Sequence, residues 1–325
     1  MLHSPHKILT HPEHLSRWLN GNPSPLHMSL SPTDMCPHSC PNCNGGATSG
    51  SHTMKLSEAT QLLTDFTIMG GKAVTLAGGG EPTAHPDLIS IIACAYGLGL
   101  DCGLITNGHY LADGYASALT SWCRWIRVSI DGSETTYQSR HGNAASWSLT
   151  YDHLCQLAQT DRQDCTVGAS YLLSASTAYD ALDAAKAIRD AGADYIQFKP
   201  FDGDTYDPSN VLDSIRAQLP NFQVYGFFQH DTSPTRSYSL CHAANFIIDV
   251  SANGDVNKCC AWRAMHKPSL GNIVRDGLEA TLSSDKFAKA MQCSVSGCPT
   301  WCRNHALNDT VQRSCIEPME HNNFV

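Results

Sequence analysis

Charge is scarce in this sequence. Lys and Arg number 21 and Asp and Glu 30 among 325 residues, 16 % in all, for a net charge of −9. The few cations are scattered, with no basic stripe of the kind that neutralises phosphates, which argues against nucleic acid as a partner. Long apolar runs are missing too. The richest, Leu88 to Leu100, is interrupted by Ser90 and Tyr96 and closed by Asp87 and Asp101, too short to span a bilayer. The first residues, MLHSPHKILTHPEHLSRW, lack an apolar stretch behind a basic start, which excludes a secretory signal of the usual kind. The reading is a cytoplasmic protein with no membrane partner. Disorder is excluded as well, because a hydrophobic content of 42 % over this length builds a sizeable core.

Cysteine is what the sequence has in quantity, 15 residues, an odd number. In a reducing compartment such a pattern means metal or catalysis rather than disulfides. The cysteines fall into three groups: 36, 40 and 43 at the front; 94, 102, 123, 155 and 165 dispersed; and 241, 259, 260, 293, 298, 302 and 315 at the back. The dispersed five fall mostly in expected helices and strands and read as small buried hydrophobes.

Apolar periodicity alternates between buried strands and amphipathic helices. Strands are expected at 26–30, 73–77, 102–106, 125–130, 166–173 and 195–198. Helices are expected at 57–69, 86–98, 111–119, 147–159 and 178–191. Strands alternating with helices make parallel β/α units, and six of them suit an incomplete barrel or an open doubly wound sheet. In both, the loops after the strand ends carry the chemistry. Asp202 to Asn210 is turn-rich and reads as a linker. Beyond it, 247–250 and 256–259 form a hairpin through Asn253-Gly254 with a primed turn, and a helix covers 277–291.

Two loops stand out. Cys36-Pro-His-Ser-Cys40-Pro-Asn-Cys43 places three thiolates in one short loop, the spacing that wraps a polynuclear iron centre. On this segment alone, a zinc site with His38 or a distant fourth ligand is equally open. After the next strand comes Gly78-Gly-Gly-Glu81-Pro82. A glycine run there lets a ligand approach the backbone. It fails as a dinucleotide fingerprint, because Thr83 stands where the third glycine belongs and Pro82 where a helix should open.

Together these loops resemble the radical S-adenosylmethionine (SAM) enzymes. Three further strand ends are similar to the same family: Thr106-Asn107-Gly108, Ser129-Ile-Asp131-Gly132 and Lys199-Pro200. The resemblance covers roughly residues 25–201 and implies a partial (β/α)6 TIM-like barrel, after an N-terminal segment at 1–24 and before a linker region at 202–234. It implies a [4Fe–4S] cluster on Cys36, Cys40 and Cys43, whose remaining iron takes the amino and carboxylate groups of SAM. Gly79, Gly80 and Glu81 would meet the SAM amino group. Asn107, Ser129 and Asp131 would serve the ribose or the methionyl end, and Arg140, expected in the loop QSRHG at 138–142, the carboxylate or solvent. The chain departs from the family at Asn42, where an aromatic residue usually stands near the adenine.

The back group resembles the SPASM and shorter twitch extensions of these enzymes, through Cys241, twelve residues, Gly254, four residues and Cys259. The implied α+β extension at 235–325 would hold one auxiliary [4Fe–4S] cluster on Cys241, Cys259, Cys298 and Cys302. Two departures from the full SPASM pattern, Ala290 three positions before Cys293 and four residues between Cys293 and Cys298, leave a second cluster undefined. Cys293 and Cys315 would complete a second, defective site, or one of them would replace Cys298; Cys260 is a buried spare thiol or an alternative ligand; and all three are candidate hydrogen-atom donors.

The expected activity is reductive cleavage of SAM to a 5′-deoxyadenosyl radical that abstracts a hydrogen atom from a peptide or natural-product precursor. A reducing partner such as flavodoxin or ferredoxin is implied. A sugar, nucleoside or other small metabolite is the alternative substrate. A non-catalytic zinc-binding structural protein is the alternative of a different class.

Overall fold

The structure, a computed structural model, describes residues 5–22, 24–41, 43, 51–111, 114–162, 164–201, 204–226, 236–298 and 302–316. Asn42, part of the expected 111–119 helix, part of the 202–234 region and the last nine residues lie outside that set. Ten strands make one sheet: β1 (His27–Leu30), β2 (Ala73–Leu76), β3 (Asp101–Thr106), β4 (Cys123–Ser129), β5 (Thr166–Leu172), β6 (Tyr195–Lys199), β7 (Gln223–Gly226), β8 (Ile247–Val250), β9 (Asp255–Asn257) and β10 (Gly271–Asn272). Their order is β10-β9-β8-β1-β2-β3-β4-β5-β6-β7. From β8 through β7 every pairing is parallel, and only β8–β9 and β9–β10 are antiparallel. The fold is thus a mixed α/β barrel-type sheet, and the C-terminal extension joins it edge-on, β8 against β1.

The helices are α1 (Pro12–Leu19), α2 (Leu56–Ile68), α3 (Leu88–Gly97), α4 (Tyr115–Trp122), α5 (Tyr137–His141), α6 (Trp147–Gln159), α7 (Ala181–Asp190), α8 (Ser209–Gln218), α9 (Cys260–Ala264), α10 (Ile273–Asp276), α11 (Leu278–Leu282), α12 (Asp285–Met291) and α13 (His305–Val311). Each of the longer ones closes an apolar stripe over the sheet. In α2, Ala59, Leu62, Leu63 and Phe66 are buried, and each fully buried large side chain stabilises by about 1.5–3 kcal/mol.

Four expectations change. The 202–234 region is more than a linker: Leu212 and Ile215 give α8 a buried stripe, and β7 adds a seventh strand beside β6. The 277–291 helix is two helices, because Ser284 caps α12 by accepting from the Phe287 N–H. The β8–β9 turn is not primed. Only Gly254 has a positive φ there, +84°, while Asn253 stays in the ordinary region, and the Gly254 N–H donates to the Ser251 carbonyl, which is a type I turn with a glycine bulge. Finally, Arg140 lies in the short helix α5, not in a loop.

The two faces of the sheet differ in chemistry. One carries Met28, Leu30, Val74, Leu76, Leu104, Ile126, Val128, Val167, Ala169, Ile196 and Phe198 in the main core under the helices. The other carries His27, Ser29, Thr75, Arg127, Ser170, Gln197, Lys199 and Asp249, since side chains alternate along a strand. His27 Nε2 lies 2.9 Å from Thr75 Oγ1, and Arg127 Nη1 donates to Gln197 Oε1 at 3.2 Å. Two glycines make room on this inner wall. A Cβ on Gly103 would sit 2.3 Å from the Trp125 ring, and one on Gly168 2.3 Å from the Tyr195 ring.

All fifteen cysteines are unpaired. Cys102, Cys123 and Cys165 are buried in the main core, and Cys94 and Cys155 pack against it, as small hydrophobes do. Trp18 of α1 packs edge-on against Phe246, and Leu15 joins Phe246 and Val311 in a satellite cluster. No helix among the described residues is long and apolar enough to cross a membrane.

Candidate radical and iron–sulfur sites

The loop that bears Cys36, Cys40 and Cys43 leaves the carboxyl end of β1, and its neighbours come from the ends of β2, β3 and β4. Two ladders hold it. Gly80 N–H donates to the Thr33 carbonyl and Glu81 N–H to the Met35 carbonyl, at 3.0 and 2.8 Å. The Gly79 N–H donates to Ser31 Oγ at 2.7 Å. Farther along, Ser39 N–H donates to the His141 carbonyl at 3.2 Å.

The reason for a glycine at position 80 is internal. A Cβ there would stand 2.3 Å from the Met35 carbonyl oxygen, so the close approach is between the motif and the cysteine loop itself. The Gly79 and Gly80 N–H groups are committed to Ser31 and Thr33, and their carbonyl oxygens are the groups here that could accept from an ammonium.

Glu81 is 3 % exposed and acts as a clamp. Its carboxylate accepts from Thr83 N–H and Oγ1, from Thr106 Oγ1 at 2.5 Å and from Asn107 N–H at 2.6 Å. Burial pushes its carboxyl above the usual range in spite of these donors. Asn107 in turn aims its Nδ2 at Cys36 Sγ, 3.6 Å away.

Around Cys40 the structure adds His141, Tyr137 and His109, which the sequence does not single out, to His38 and Asp131, which it does. His141 Nδ1 lies 3.7 Å from Cys40 Sγ. Its Nε2 is 3.3 Å from Asp131 Oδ2 and 3.3 Å from the Asp131 N–H. The ring stacks on Tyr137 at 4.2 Å. His38 Nε2 lies 3.3 Å from His109 Nδ1, and its Nδ1 is buried with no hydrogen-bond partner. Burial, with His141 and His109 beside it, lowers the His38 pKa to about 4. Cys40 is pushed up to about 12 by burial, then by Cys43, Asp131 and Cys36; burial and the Glu81 and Cys43 charges also raise Cys36.

The other expected SAM contacts are placed as follows. Ser129 ends β4 on the inner face. Asp131 Oδ1 accepts the Leu172 N–H at 2.6 Å. Arg140 has partners on the chain already: it donates to the Asp131 carbonyl and to Tyr171 Oη, and pairs with Asp180 at 3.1 Å.

At the back, Cys241, Cys259, Cys298 and Cys302 come together. Cys302 is an electrostatic neighbour of Cys241 and Cys298, and Cys259 of Cys241 and Cys302. Burial pushes Cys259 up to about 12. Asn308 Nδ2 lies 3.7 Å from Cys241 Sγ, and the Trp262 N–H donates to Cys259 Sγ. The three leftover thiols part company. Cys293 is exposed, and Cys315 packs beside Leu307 against the Phe246 cluster. Cys260 opens α9 and neighbours Arg303 and Lys199. It alone of the three faces the barrel.

Whether these thiols suit zinc or iron is a matter of spacing. Four sulfurs around one zinc stand roughly 3.8 Å apart at a Zn–S distance of about 2.3 Å. Neither cysteine set converges that far. Among the described residues the one group of three ligand atoms within 4.8 Å of one another is His38, Cys40 and His141. Thiols that stay farther apart than zinc requires fit a cluster in which each binds its own iron. The buried amide and imidazole N–H donors beside them suit the sulfur of an anionic cluster.

The comparisons agree with that geometry. Residues 30–196 match the model of the radical SAM superfamily, and residues 241–306 that of the SPASM iron–sulfur cluster-binding domain. The chain belongs to the radical SAM superfamily. It is therefore an enzyme of the class that uses SAM and [4Fe–4S] clusters. Among curated proteins, it is 32 % identical over 124 residues to the PqqA peptide cyclase of Rhodopseudomonas palustris, covering 37 % of this chain and 33 % of that one. The cyclase of Methylorubrum extorquens is 38 % identical over 88 residues, 26 % of this chain and 23 % of that one. The chain thus spans about a third or less of the length of the curated relatives it matches. Among solved structures, Streptococcus suis SuiB bound to SAM superimposes with a TM-score of 0.69 at 13 % identity, over 87 % of this chain and 72 % of that one. The radical SAM enzyme anSMEcpe with bound SAM gives 0.62 at 16 % identity, over 88 % of each. These two show the fold.

Proposed function

We propose that this chain cleaves SAM reductively and abstracts a hydrogen atom from a carbon of a peptide substrate. The observation that carries the proposal is the packing of the Cys36–Cys43 loop against Gly79–Glu81 and Asn107, at the carboxyl ends of the first three parallel strands, where such sheets build their sites. A [4Fe–4S] cluster on Cys36, Cys40 and Cys43 would supply the electron that divides SAM into methionine and the 5′-deoxyadenosyl radical. That radical takes one hydrogen atom from the substrate, leaving 5′-deoxyadenosine and a substrate radical.

The residues divide the remaining work. The Gly79 and Gly80 carbonyls suit the SAM ammonium. Glu81 holds β2 and β3 in register, and Asn107 and His141 donate toward the cysteine sulfurs. Ser129 and Asp131 stand where a ribose or methionyl group would meet the strand ends, and Arg140 would reach the SAM carboxylate by sharing its charge with Asp180. A primary alkyl radical needs a closed site, which the barrel wall with the C-terminal extension would form. Cys241, Cys259, Cys298 and Cys302 would hold an auxiliary cluster, which binds substrate or passes the electron left after abstraction. A flavodoxin or ferredoxin would supply the first electron.

The peptide is supported by the curated relatives, which are peptide cyclases, and by SuiB, solved with the precursor peptide SuiA at a TM-score of 0.67. The test is anaerobic reconstitution with iron and sulfide, followed by dithionite and SAM. The chain should release 5′-deoxyadenosine, and the Cys36→Ala/Cys40→Ala/Cys43→Ala variant should not. Release that persists in the variant, or a colourless protein that holds only zinc, refutes the proposal.

A further inference from the structure

The inner wall of the barrel is cationic in a chain whose net charge is −9. Arg127 lies in the middle of β4 and is 9 % exposed. One guanidinium nitrogen donates to Gln197, and the plane lies over the Trp125 ring at 5.2 Å. Its Nε is buried with no hydrogen-bond partner. Lys199 ends β6, on the same face as Gln197. Around it stand Arg127 and Arg303, with Cys260 and Asp131 as the acidic groups. Asp131 is already engaged by the Leu172 N–H and His141. Arg263 reaches in from α9, 3.6 Å from Asp249, and its Nε and Nη1 also lack hydrogen-bond partners. Arg303 follows Cys302 and has Cys260 and Asp249 as its charged neighbours.

Counting the wall, Asp249 answers Arg263, and the thiols of the auxiliary site answer Arg303. Arg127 is left with neutral partners only, Gln197 and the Tyr195 hydroxyl, and Lys199 with a share of Asp131. Buried cations without partners are costly, and burial with two guanidinium neighbours pulls the Lys199 pKa well below its ordinary value. The wall runs from the SAM end inwards: Lys199 pairs with Leu172, whose N–H meets Asp131, and Arg263 donates to the Gly78 carbonyl at 3.4 Å, while Arg127 precedes Asp131 by four residues, roughly 13 Å of extended strand deeper. Gly103 and Gly168 keep that depth open by letting Trp125 and Tyr195 lie flat.

We propose that Arg127 and Lys199, with Arg263 at the rim, form a subsite for a carboxylate, and that the peptide this enzyme modifies presents an acidic side chain there. The subsite rests on the radical SAM reading and refines its substrate class. An arginine fork on β4 and an ammonium on β6, with only β5 between them, would hold a carboxylate through charge-assisted hydrogen bonds, fixing which neighbouring carbon faces the SAM end of the barrel.

The test uses the reconstituted holoenzyme saturated with SAM, titrated by calorimetry with two blocked pentapeptides, Ac-Gly-Ala-Glu-Ala-Gly-NH2 and its Gln isostere. The Glu peptide should bind at least about tenfold more tightly, as loss of one buried charged partner implies. Arg127→Gln and Lys199→Met should each bring the ratio towards one. Arg189→Gln, on α7 and paired with Asp190, should leave it intact. Equal affinity for the two peptides in the wild type, including no measurable binding of either, overturns the proposal without recourse to variants. So does a Glu preference that survives in both variants, or a Glu peptide that displaces SAM, since the cations would then serve the cofactor. Failure of the radical SAM reading shows separately, as no 5′-deoxyadenosine from the same preparation.

Discussion

His141 stands with Nδ1 3.7 Å from Cys40 Sγ while the Asp131 N–H points at its Nε2 from 3.3 Å. Nε2 thus meets the Asp131 N–H and, at the same 3.3 Å, the Asp131 carboxylate; with the N–H donating to Nε2, the ring proton sits on Nδ1, aimed at the sulfur. Replacing His141 by Phe keeps the stack on Tyr137 and removes the donor. A hydrogen bond of about 1 kcal/mol corresponds to roughly fivefold. The expected outcome is unchanged iron content, a more negative midpoint potential in an EPR-monitored redox titration, and slower 5′-deoxyadenosine release by about that factor. An unchanged potential would show that His141 only packs.

Much of this arrangement was legible in the sequence, and its gaps have physical causes. β1 to β6 and the loops at their ends follow from apolar runs broken by glycine, proline and cysteine, which are local signals. The apolar runs on either side of Asn253-Gly254 marked the hairpin, though the turn type depends on whether Asn253 takes a positive φ, which the dipeptide does not reveal. His141 and Arg127 were missed because their partners are remote. Cys40 lies 101 residues from His141 and Gln197 lies 70 from Arg127, and no periodicity encodes that. The one available hint was a charged residue in an otherwise apolar strand, Trp125-Ile-Arg127-Val. The α8–β7 unit was hidden by the turn-rich stretch before it.

Glu81 separates a structural from a ligand-binding role. Glu81→Ala would leave the Thr106 hydroxyl and the Asn107 and Thr83 N–H groups buried without their acceptor, a loss of roughly 3 kcal/mol when each costs about 1 kcal/mol. Glu81→Gln keeps one acceptor oxygen and should lose about half as much. Urea unfolding measures both. A Glu81→Ala protein as stable as wild type would return Glu81 to the SAM amino group alone.

Iron analysis resolves the back cysteines. Two cubanes give roughly eight irons per chain. Cys241→Ala and Cys302→Ala should each fall to about four irons with 5′-deoxyadenosine release retained. Cys293→Ala and Cys315→Ala should keep the wild-type content, because neither thiol lies with the four. A loss of iron in Cys293→Ala would move the ligand set.

Gly80 makes a steric prediction. A Cβ 2.3 Å from the Met35 carbonyl oxygen cannot be accommodated without moving backbone on one side, and here that side leads directly to Cys36. Gly80→Ala should therefore impair iron uptake at the front site, read as roughly half the wild-type iron after reconstitution, while the back site still loads. Full iron content would mean that the loop shifts freely.

His27 supplies the pH dependence. It faces the barrel beside Thr75, and burial followed by the Arg303 charge lowers its pKa to about 4, against about 6.5 in an unfolded chain. The folded state therefore resists a proton that the unfolded state accepts. Below pH 6.5 the unfolded chain binds more protons, so stability falls as pH drops, and the loss is complete near pH 4. The ring is half-buried, which limits the effect to roughly 1–2 kcal/mol between pH 7.5 and pH 5. In His27→Gln, whose amide still reaches Thr75, that part of the pH dependence should vanish. Comparing urea midpoints of the two proteins across the range isolates it, since every other titrating group is common to both. Parallel curves would mean that His27 is protonated in the fold, and the inner wall would then carry one more cation than Arg127, Lys199, Arg263 and Arg303.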